Sequence, residues 1–438
     1  MSAAEHAAVA LVAKGVGEIL AEDRVRRSTS GRLPLVLDDE RELARSVIGR
    51  HLDVLAGEHL ANGHEPLDER QEAVLTDAVL AKVLGLGRIQ PLLDDPLISD
   101  IHIRGCASTR LKLVDGRRVA AEPVVDTDEE LVELVRLVAT RMGRSERRFD
   151  AGNPELNLQL PDGSRLFATM EVSSRPSVII RRHRFELSSL VELHDRGLVD
   201  QALSSFLGAA VRAKRNIIIA GGTGSGKTTM LRALLNEVDS DDRIITIEDA
   251  YELGIDRFEA LHPDYDMMQA RPANIEGRGE ITMVDLTRMA LRMDPDRVIV
   301  GEVRGAEAFP MLMAMSQGNN GSMCTMHADS TRTVFPKLAA YVSMAETGLP
   351  VETVNLLIAT ALHLVVHIDV IDGVRRVVSV REVVDADGAR IISNEVFKPG
   401  LDGRAVPGYP LRDVTMAMLE RAGFDGSLLD KPDGWWSW

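Results

Sequence analysis

Residues 221–228 read Gly-Gly-Thr-Gly-Ser-Gly-Lys-Thr, and this stretch restricts the folds open to the chain more than any other feature. It follows a short apolar run, residues 216–220, and precedes a run of helical periodicity, residues 229–238. The pattern G-x-x-x-x-G-K-T between a strand and a helix is typical of a loop that binds nucleotide phosphates. Glycines let the backbone curve tightly, so that its N–H groups and the helix N-terminus face an anion. The predicted ATP-binding residues of this stretch are Gly222, Thr223, Gly224, Ser225, Gly226, Lys227, Thr228 and Thr229.

Two side chains of this loop have separate predicted roles. Lys227 is placed to reach the β- and γ-phosphates, and the Thr228 hydroxyl is placed to ligate Mg²⁺. The alternative is a chance glycine-rich turn, and the strand and helix on either side argue against it. ATP and Mg²⁺ are therefore the predicted cofactors.

Short apolar runs around this loop predict a parallel β-sheet. Residues 216–220, 243–247, 297–300 and 322–326 are each compact and apolar, and helical stretches separate three of them. Buried parallel strands have this appearance because helices cover both faces of the sheet. The predicted fold class is therefore α/β, with the P-loop on a parallel sheet, a smaller N-terminal α/β domain and a helical segment before it.

Polar side chains follow the later strands of this sheet. Glu248 and Asp249 follow the second run, Glu302 the third and His327 the fourth. Because ligands bind beyond the carboxyl ends of parallel strands, we expect all four side chains to lie around the phosphates. Any one of them alone could be a helix cap or a surface group, and their repetition at equivalent places favours a shared site.

The third strand lacks the acidic residue that usually holds Mg²⁺ in such proteins, since Gly301 stands at its expected position. Glu302 is then placed to orient or activate the attacking water. Glu248 and Asp249 are the carboxylates left to help hold the water shell of the metal. His327 is placed to hydrogen-bond the γ-phosphate, and a core or capping histidine is an equal alternative.

Arginines are the remaining candidates, because guanidinium groups suit the charge of a transferred phosphoryl group. Arg304 lies two residues after Glu302, where an ion pair is as well supported as catalysis. A solvated basic face is the default for any single member of the set. The candidates are Arg175, Arg181, Arg182, Arg271, Arg278 and Arg304.

The rest of the chain divides by its patterns into further regions. Residues 1–87 have helical apolar spacing, and residues 88–186 combine short strands with one helix, residues 128–142. A linker over 187–201 leads to the ATPase domain, residues 202–398. A C-terminal extension, residues 399–438, is rich in glycine and proline and ends in Trp435, Trp436, Ser437 and Trp438.

Charge and cysteine content exclude several classes of protein. The 51 Lys and Arg against 67 Asp and Glu give a net charge of −16, which argues against a main partner that is nucleic acid. Two cysteines are too few for a disulfide framework or a four-thiolate zinc site. No apolar run approaches the roughly 20 residues of a membrane span, and a cytoplasmic location is predicted.

The motifs, in this order, resemble those of the ATPases of type II and type IV secretion and of type IV pili. The similarity covers roughly residues 84–385 and is most specific over residues 295–305, Pro-Asp-Arg-Val-Ile-Val-Gly-Glu-Val-Arg-Gly. Within that superfamily the chain is most similar to the CpaF branch, the motor of tight-adherence (Tad, or Flp) pili. The four-cysteine zinc insert of the type II and pilus-extension branches is absent, in keeping with that branch.

The resemblance implies a hexameric ring in which an N-terminal α/β domain is joined by a linker to a RecA-like P-loop ATPase domain. ATP would lie between the two domains and near the neighbouring subunit. It gives Lys227 and Thr228 as phosphate and Mg²⁺ ligands, and it places Glu248 and Asp249 in an acidic box. Glu302 then belongs to an atypical second nucleotide motif and His327 to a histidine box. Arg271 and Arg278 match interdomain or intersubunit arginines, and Arg181 is assigned to the ATP site. Two departures, Asp329 after His327-Ala and the stretch 316–321, remove no catalytic group.

The predicted function is an ATP-hydrolysing motor that powers assembly, or assembly and retraction, of a Tad/Flp-type pilus or a related secretion machine. It would dock on platform proteins of the inner membrane, at the cytoplasmic face, and reach the membrane through those partners only. A RecA- or helicase-like nucleic-acid motor is one alternative, and the net charge opposes it. A regulatory module that binds ATP without turnover is another, and the presence of Glu302 and His327 opposes it.

Overall fold

The computed structural model describes residues 3–30, 35, 37–61, 68–142, 148–160, 162–182, 188–273 and 276–430. The chain divides into two compact units, Met1–His183 and Arg184–Trp438. The tryptophan-rich end of the sequence, residues 435–438, lies outside the described residues. Cys106 and Cys324 are both free thiols. No helix in the described part of the chain has the length and hydropathy that a membrane crossing requires.

The first unit begins with three helices, as the apolar spacing predicts. They share a core in which Val16, Ile48 and Val79, one from each helix, are fully buried. The third helix starts at a capping box, in which Asp68 and Gln71 exchange hydrogen bonds between side chain and backbone. The helices are α1 (Ala3–Thr29), α2 (Leu37–Ala61) and α3 (Glu69–Val83).

A six-stranded antiparallel sheet completes this unit. One face is buried by the amphipathic helix α5, where Leu131 and Val135 pack in one cluster with Ile101 and Ile180 of the sheet. The alternation of buried and exposed residues along each strand shows that only one face is covered. The strand order is β3-β2-β1-β6-β5-β4. The elements are α4 (Gln90–Asp94), β1 (Ile98–Arg104), β2 (Thr109–Leu113), β3 (Arg118–Ala121), α5 (Asp128–Met142), β4 (Glu155–Gln159), β5 (Arg165–Thr169) and β6 (Ser177–Arg181).

The second unit is built on a nine-stranded mixed sheet with helices on both faces. Its strand order is β15-β14-β13-β12-β7-β11-β10-β8-β9. The strands are β7 (Ile217–Gly221), β8 (Ile244–Glu248), β9 (Tyr265–Gln269), β10 (Arg297–Val303), β11 (Met323–Met326), β12 (Leu364–Ile371), β13 (Val374–Asp387), β14 (Arg390–Pro399) and β15 (Ala405–Pro407). The helices are α6 (Leu190–Asp195), α7 (Gln201–Arg212), α8 (Lys227–Leu235), α9 (Met283–Ala290), α10 (Ala308–Ser316), α11 (Val334–Met344), α12 (Val351–Ala361) and α13 (Asp413–Arg421).

Six neighbouring strands of this sheet, β12, β7, β11, β10, β8 and β9, run parallel. The four predicted central strands are all present and almost entirely buried, which confirms the α/β fold class. The edge strand β9 is absent from the sequence expectations because its residues, Tyr-Asp-Met-Met-Gln, are half-buried and mixed in polarity. The carboxyl ends of β7, β8, β10 and β11 meet at one edge of the sheet, which is where ligands bind in such folds.

A buried arginine explains much of the motif at residues 295–305. Arg297 is 1% exposed, and its Nε donates to Asp242 at 2.7 Å while Nη1 donates to the Val211 carbonyl at 3.0 Å. A Cβ at Gly321 would lie 2.5 Å from Nη1, so this position must remain glycine. A buried charge needs a partner and several hydrogen bonds, and this arrangement supplies them. Arg297 therefore stabilises the sheet.

The segment after residue 399 packs into the core of the second unit. Phe424 contacts Phe206 edge-on, with 5.7 Å between the ring centroids. The buried carboxylate of Glu382 accepts hydrogen bonds from Arg412 Nε at 2.9 Å and Thr415 Oγ1 at 2.5 Å. Residues 399–430 thus share the core that lies beneath β7, rather than forming an appendage.

Candidate active site

The phosphate-binding loop predicted from the sequence connects β7 to α8. Gly224 and Gly226 have φ of +75° and +101°, a region that favours glycine, and Gly226 caps the N-terminus of α8. A Cβ on Gly221 would lie 2.4 Å from the Ile368 carbonyl oxygen, so β12 passes too close for any side chain there. Gly222, Thr223 and Gly224 are exposed, whereas Ser225 is buried and its Oγ has no hydrogen-bond partner among the described residues. Exposed backbone before a helix N-terminus suits a phosphate group.

Lys227 opens α8 and lies at the mouth of this loop. Its side chain turns back, and Nζ donates to the carbonyls of Gly221 at 3.1 Å and Gly222 at 2.9 Å. Burial lowers the pKa of Lys227, because desolvation disfavours the charged ammonium. Thr228 and Thr229 follow in the first turn of the helix and are half-buried. The start of α8 thus places the Lys227 ammonium and the Thr228 hydroxyl next to the phosphate-binding loop.

His327 and Glu302 connect this lysine to the neighbouring strands. His327 Nε2 lies 2.8 Å from Glu302 Oε1, and His327 Nδ1 lies 3.4 Å from Lys227 Nζ. Burial first, and then the Lys227 charge, lower the pKa of His327, so the ring is neutral near pH 7. With a proton on Nε2, Nδ1 accepts from Lys227 Nζ, whereas the Nε2–Oε1 contact is not aligned as a hydrogen bond and Glu302 Oε1 has no hydrogen-bond partner among the described residues. Lys227, His327 and Glu302 therefore form one polar chain across β7, β11 and β10.

Arg304 completes the surroundings of Glu302. Its guanidinium Nε donates to Glu302 Oε2 at 2.8 Å, and a second nitrogen of the same group contacts this oxygen. The ion pair that the sequence left as one of two alternatives for Arg304 is present. The Glu302 carboxylate is thus oriented through Oε2 by a guanidinium, and its Oε1 lies beside the imidazole of His327.

Glu248 ends β8 and is 2% exposed. Its Oε1 accepts hydrogen bonds from the backbone N–H of Glu252 at 2.8 Å and of Leu253 at 2.9 Å. Its Oε2 is buried and has no hydrogen-bond partner among the described residues. A Cβ on Gly301 would lie 3.1 Å from Glu248 Cγ. Glu248 therefore packs closely against Gly301, and a side chain at that position would require Glu248 to shift.

The environment of Glu248 predicts a pH-dependent stability. Burial raises the pKa of Glu248 from 4.5 to about 7. The folded state therefore favours the proton, and the resulting stabilisation is complete below pH 4.5 and is lost as the pH rises through about 7. Glu248→Gln does not titrate, so the free energy of unfolding of the parent should fall by about 3 kcal/mol relative to this variant between pH 4.5 and 8. Chemical denaturation across this range, in the presence of a chelator, measures the difference.

If the free energy of unfolding changed with pH in the same way in the parent and in Glu248→Gln, the raised pKa of the buried Glu248 carboxyl group would be contradicted. Glu352→Gln is the matched control, because Glu352 is an exposed carboxylate on α12 of the same unit. Its stability should follow the parent at every pH.

Apart from Arg304, the predicted arginines lie either in the loop after β9 or on and beside β6 of the first unit. Arg271 and Arg278 belong to the loop after β9, where Arg271 Nε donates to the Gly279 carbonyl at 3.0 Å. Arg278 is exposed and lies 4.0 Å from Glu276. Arg181 belongs to β6 of the first unit, 3.8 Å from Asp100. Arg175 pairs with Asp128 at 2.8 Å, and Arg182 Nη1 donates to the Ile98 carbonyl at 3.1 Å.

One residue that the sequence analysis did not place in the site contacts the phosphate-binding loop. Arg375, at the start of β13, donates through Nε to the Gly224 carbonyl at 2.8 Å. Nothing in the sequence links positions 151 residues apart. Only the position of β12 beside β7 brings the two together.

The residues at the sheet edge can hold a metal ion only with help from a ligand. Within the described ranges, no three His, Cys, Asp or Glu side chains gather into a metal-binding group. Mg²⁺ usually keeps several waters and binds one or two protein oxygens together with substrate phosphates. The Thr228 hydroxyl and the exposed carboxylate of Asp249 fit that kind of site.

The parallel sheet, the glycine loop after β7 and the acidic and histidine side chains at the ends of its neighbours define a RecA-like P-loop domain. The family model of type II/IV secretion system proteins matches residues 96–391, and the chain belongs to this family of secretion ATPases. The superfamily predicted from the motifs is thereby confirmed.

Individual relatives agree with this assignment. A protein of Mycobacterium tuberculosis, whose name assigns it provisionally to conjugal transfer, is 32% identical over 296 residues, which cover 66% of this chain and 81% of the relative. The type IV secretion system protein VirB11 of Brucella suis is 30% identical over 321 residues, covering 66% of this chain and 87% of VirB11. The X-ray structure of the Legionella pneumophila ATPase DotB matches with a TM-score of 0.50 and 20% identity, over 69% of this chain and 80% of DotB. This last match concerns the fold alone.

Proposed function

We propose that this chain hydrolyses ATP and is the motor of a secretion machine, specifically of a Tad/Flp-type pilus. The observation that carries the proposal is the polar chain from Lys227 through His327 to Glu302, at the mouth of a phosphate-binding loop. A protein that only held ATP would need the loop and the lysine. A carboxylate held by Arg304 beside them is what hydrolysis needs, because the attacking water must be positioned and deprotonated.

The residues around the loop fit Mg-ATP. Lys227 and the backbone amides of residues 222–226 would bind the β- and γ-phosphates, and the buried Ser225 Oγ lies within the same loop. Thr228 would ligate Mg²⁺ directly, and Asp249 would hold the water shell of the metal. The metal, when bound, neutralises the charge that develops on the phosphates. Glu248 would act through the loop that it anchors by two backbone hydrogen bonds.

In this mechanism Glu302 orients and deprotonates the attacking water. His327 lies between Glu302 Oε1, at 2.8 Å from its Nε2, and Lys227 Nζ, at 3.4 Å from its Nδ1, and would contact the γ-phosphate that the lysine binds. Arg304 holds the second carboxylate oxygen until the nucleotide is in place. Lys227, His327 and Glu302 would thereby couple the state of the nucleotide to the carboxyl ends of β7, β11 and β10.

The proposed oligomeric state, arginine roles and docking partners rest on the motif resemblance and on the family to which the chain belongs. We propose a homo-hexamer in which Arg271 and Arg278 act between domains or subunits and Arg181 belongs to the ATP site. The hexamer would dock on inner-membrane platform proteins at the cytoplasmic face, and the net charge of −16 suits basic cytoplasmic loops. The same charge disfavours nucleic acid as the partner.

Solution mass tests this proposal. Light scattering of the full chain, with a non-hydrolysable ATP analogue and Mg²⁺, should give six times the 47.9 kDa of one chain. The assembly should depend on nucleotide, since the proposed site lies near the neighbouring subunit. Lys227→Ala is the control and should not respond to the analogue. A chain that remains a monomer with and without the analogue would contradict the hexamer.

A further inference from the structure

The hairpin formed by β12 and β13 approaches the outer side of the phosphate-binding loop. β12 runs parallel to β7, and Ile368 is opposite Gly221, the last residue before the loop. The hairpin turns at Asp372 and Gly373, which both have positive φ, of 51° and 79°. Arg375 follows at the second position of β13, opposite Val370. The turn thus places the guanidinium of Arg375 beside the phosphate-binding loop.

The arginine packs along the loop and also bonds to it. Its Nε donates to the Gly224 carbonyl at 2.8 Å, and its Cδ lies 3.2 Å from the place that a Cβ on Gly226 would occupy. The start of β13 is itself held in place, because the Val377 N–H donates to the Leu198 carbonyl at 2.9 Å. Arg375 is therefore a brace mounted on a strand that is itself hydrogen-bonded, and it contacts a loop whose residues Gly222, Thr223 and Gly224 are exposed.

The braced carbonyl belongs to a peptide group that faces the ligand site. In a trans peptide the C=O of Gly224 and the N–H of Ser225 point in opposite directions, so holding the oxygen outward fixes the N–H inward. Ser225 N–H lies 3.3 Å from the Gly222 carbonyl oxygen, which also accepts from Lys227 Nζ at 2.9 Å. These two donors converge on one oxygen, and an oxygen of a nucleotide phosphate would compete for both.

We propose that Arg375 is a positioning residue of the phosphate-binding loop, which pre-orients the Gly224–Ser225 peptide for the phosphates of a bound nucleotide. The inference deepens the proposed ATP site and rests on it. Glycine loses more conformational freedom on ordering than any other residue, so an external brace lowers the entropic cost of binding. Arg375 contacts the loop from behind, and its effect should fall on nucleotide affinity and KM while kcat changes little.

Two measurements on the full chain test this role. Arg375→Ala should weaken ADP binding about tenfold in calorimetry, as expected for the loss of one charge-assisted hydrogen bond. Without nucleotide, hydrogen exchange of the amides of residues 222–226 should become faster in this variant. Arg390→Ala is the matched control, because Arg390 is an exposed arginine at the next hairpin turn of the same sheet. It should behave as the parent in both measurements.

A lysine variant separates charge from geometry. Arg375→Lys keeps the positive charge but lacks Nε, so it should resemble Arg375→Ala more than the parent. Full recovery of affinity and exchange in Arg375→Lys would overturn the brace in favour of a simple charge effect. Unchanged ADP affinity and unchanged exchange in Arg375→Ala would also overturn it.

Failure of the ATP site itself has a different signature. A parent protein that binds no ADP would refute the proposed function, and the exchange measurement, which needs no nucleotide, would still decide whether Arg375 orders the loop. A parent that binds ADP, with Arg375→Ala binding equally well, would refute the role of Arg375 alone.

Discussion

Lys227→Ala is expected to abolish ATP hydrolysis, with kcat/KM lowered by at least about 10²- to 10³-fold, as when a single group that stabilises developing charge is removed. The ammonium lies at the mouth of the phosphate-binding loop, held by the carbonyls of Gly221 and Gly222. It is the only positive side chain within the loop and first helical turn, residues 221–228. Nucleotide binding should weaken as well, because the lysine contacts the phosphates in the ground state and in the transition state.

A release assay for inorganic phosphate, together with ADP calorimetry, measures both effects. Lys398→Ala is the control, since Lys398 is an exposed lysine on β14 of the same sheet. The variant should fold, because burial already disfavours the Lys227 ammonium and its removal relieves that cost. Normal turnover in Lys227→Ala would refute the assignment of the phosphate site.

The central sheet could be predicted from the sequence because its strands are short, apolar and buried on both faces. Periodicity marks such strands well, as the agreement for β7, β8, β10 and β11 shows. The edge strand β9 lacks that pattern, since its residues are half-buried, and its place beside β8 is a property of the assembled sheet. A segment held mainly by backbone pairing has little composition signal.

Some residues of the site can be predicted from a local motif, whereas the contacts of others depend on how distant parts of the chain pack together. The roles of Lys227 and Thr228 follow from a contiguous motif, and the grouping of Glu302 and His327 follows from the rule that parallel strands end at one edge. Two features depend on distances across the fold. Glu248 crowds the position of Gly301 because β8 and β10 are neighbours, and a Cβ on that glycine would lie 3.1 Å from Glu248 Cγ. Arg375 reaches Gly224 only because β12 is the neighbour of β7.

Glu302→Gln is expected to lower kcat by about 10²- to 10⁴-fold, the usual range for the loss of a general base. The amide is nearly isosteric and can occupy the same place, where the carboxylate lies 2.8 Å from His327 Nε2. ADP affinity should therefore stay within a fewfold of the parent, in contrast to Lys227→Ala. Phosphate release and ADP calorimetry on the same preparation distinguish loss of chemistry from loss of binding.

The control for Glu302→Gln is Glu352→Gln, which makes the same change of charge on an exposed face of α12. Because Arg304 loses the negative charge of its partner, Glu302→Gln also frees this guanidinium. If the main role of Arg304 were to restrain the carboxylate, Arg304→Ala would retain much of the parent kcat, whereas a catalytic role would make it as slow as Glu302→Gln. Full activity in Glu302→Gln would show that the water is activated by another group, and it would remove the polar chain as the basis of the proposed hydrolysis.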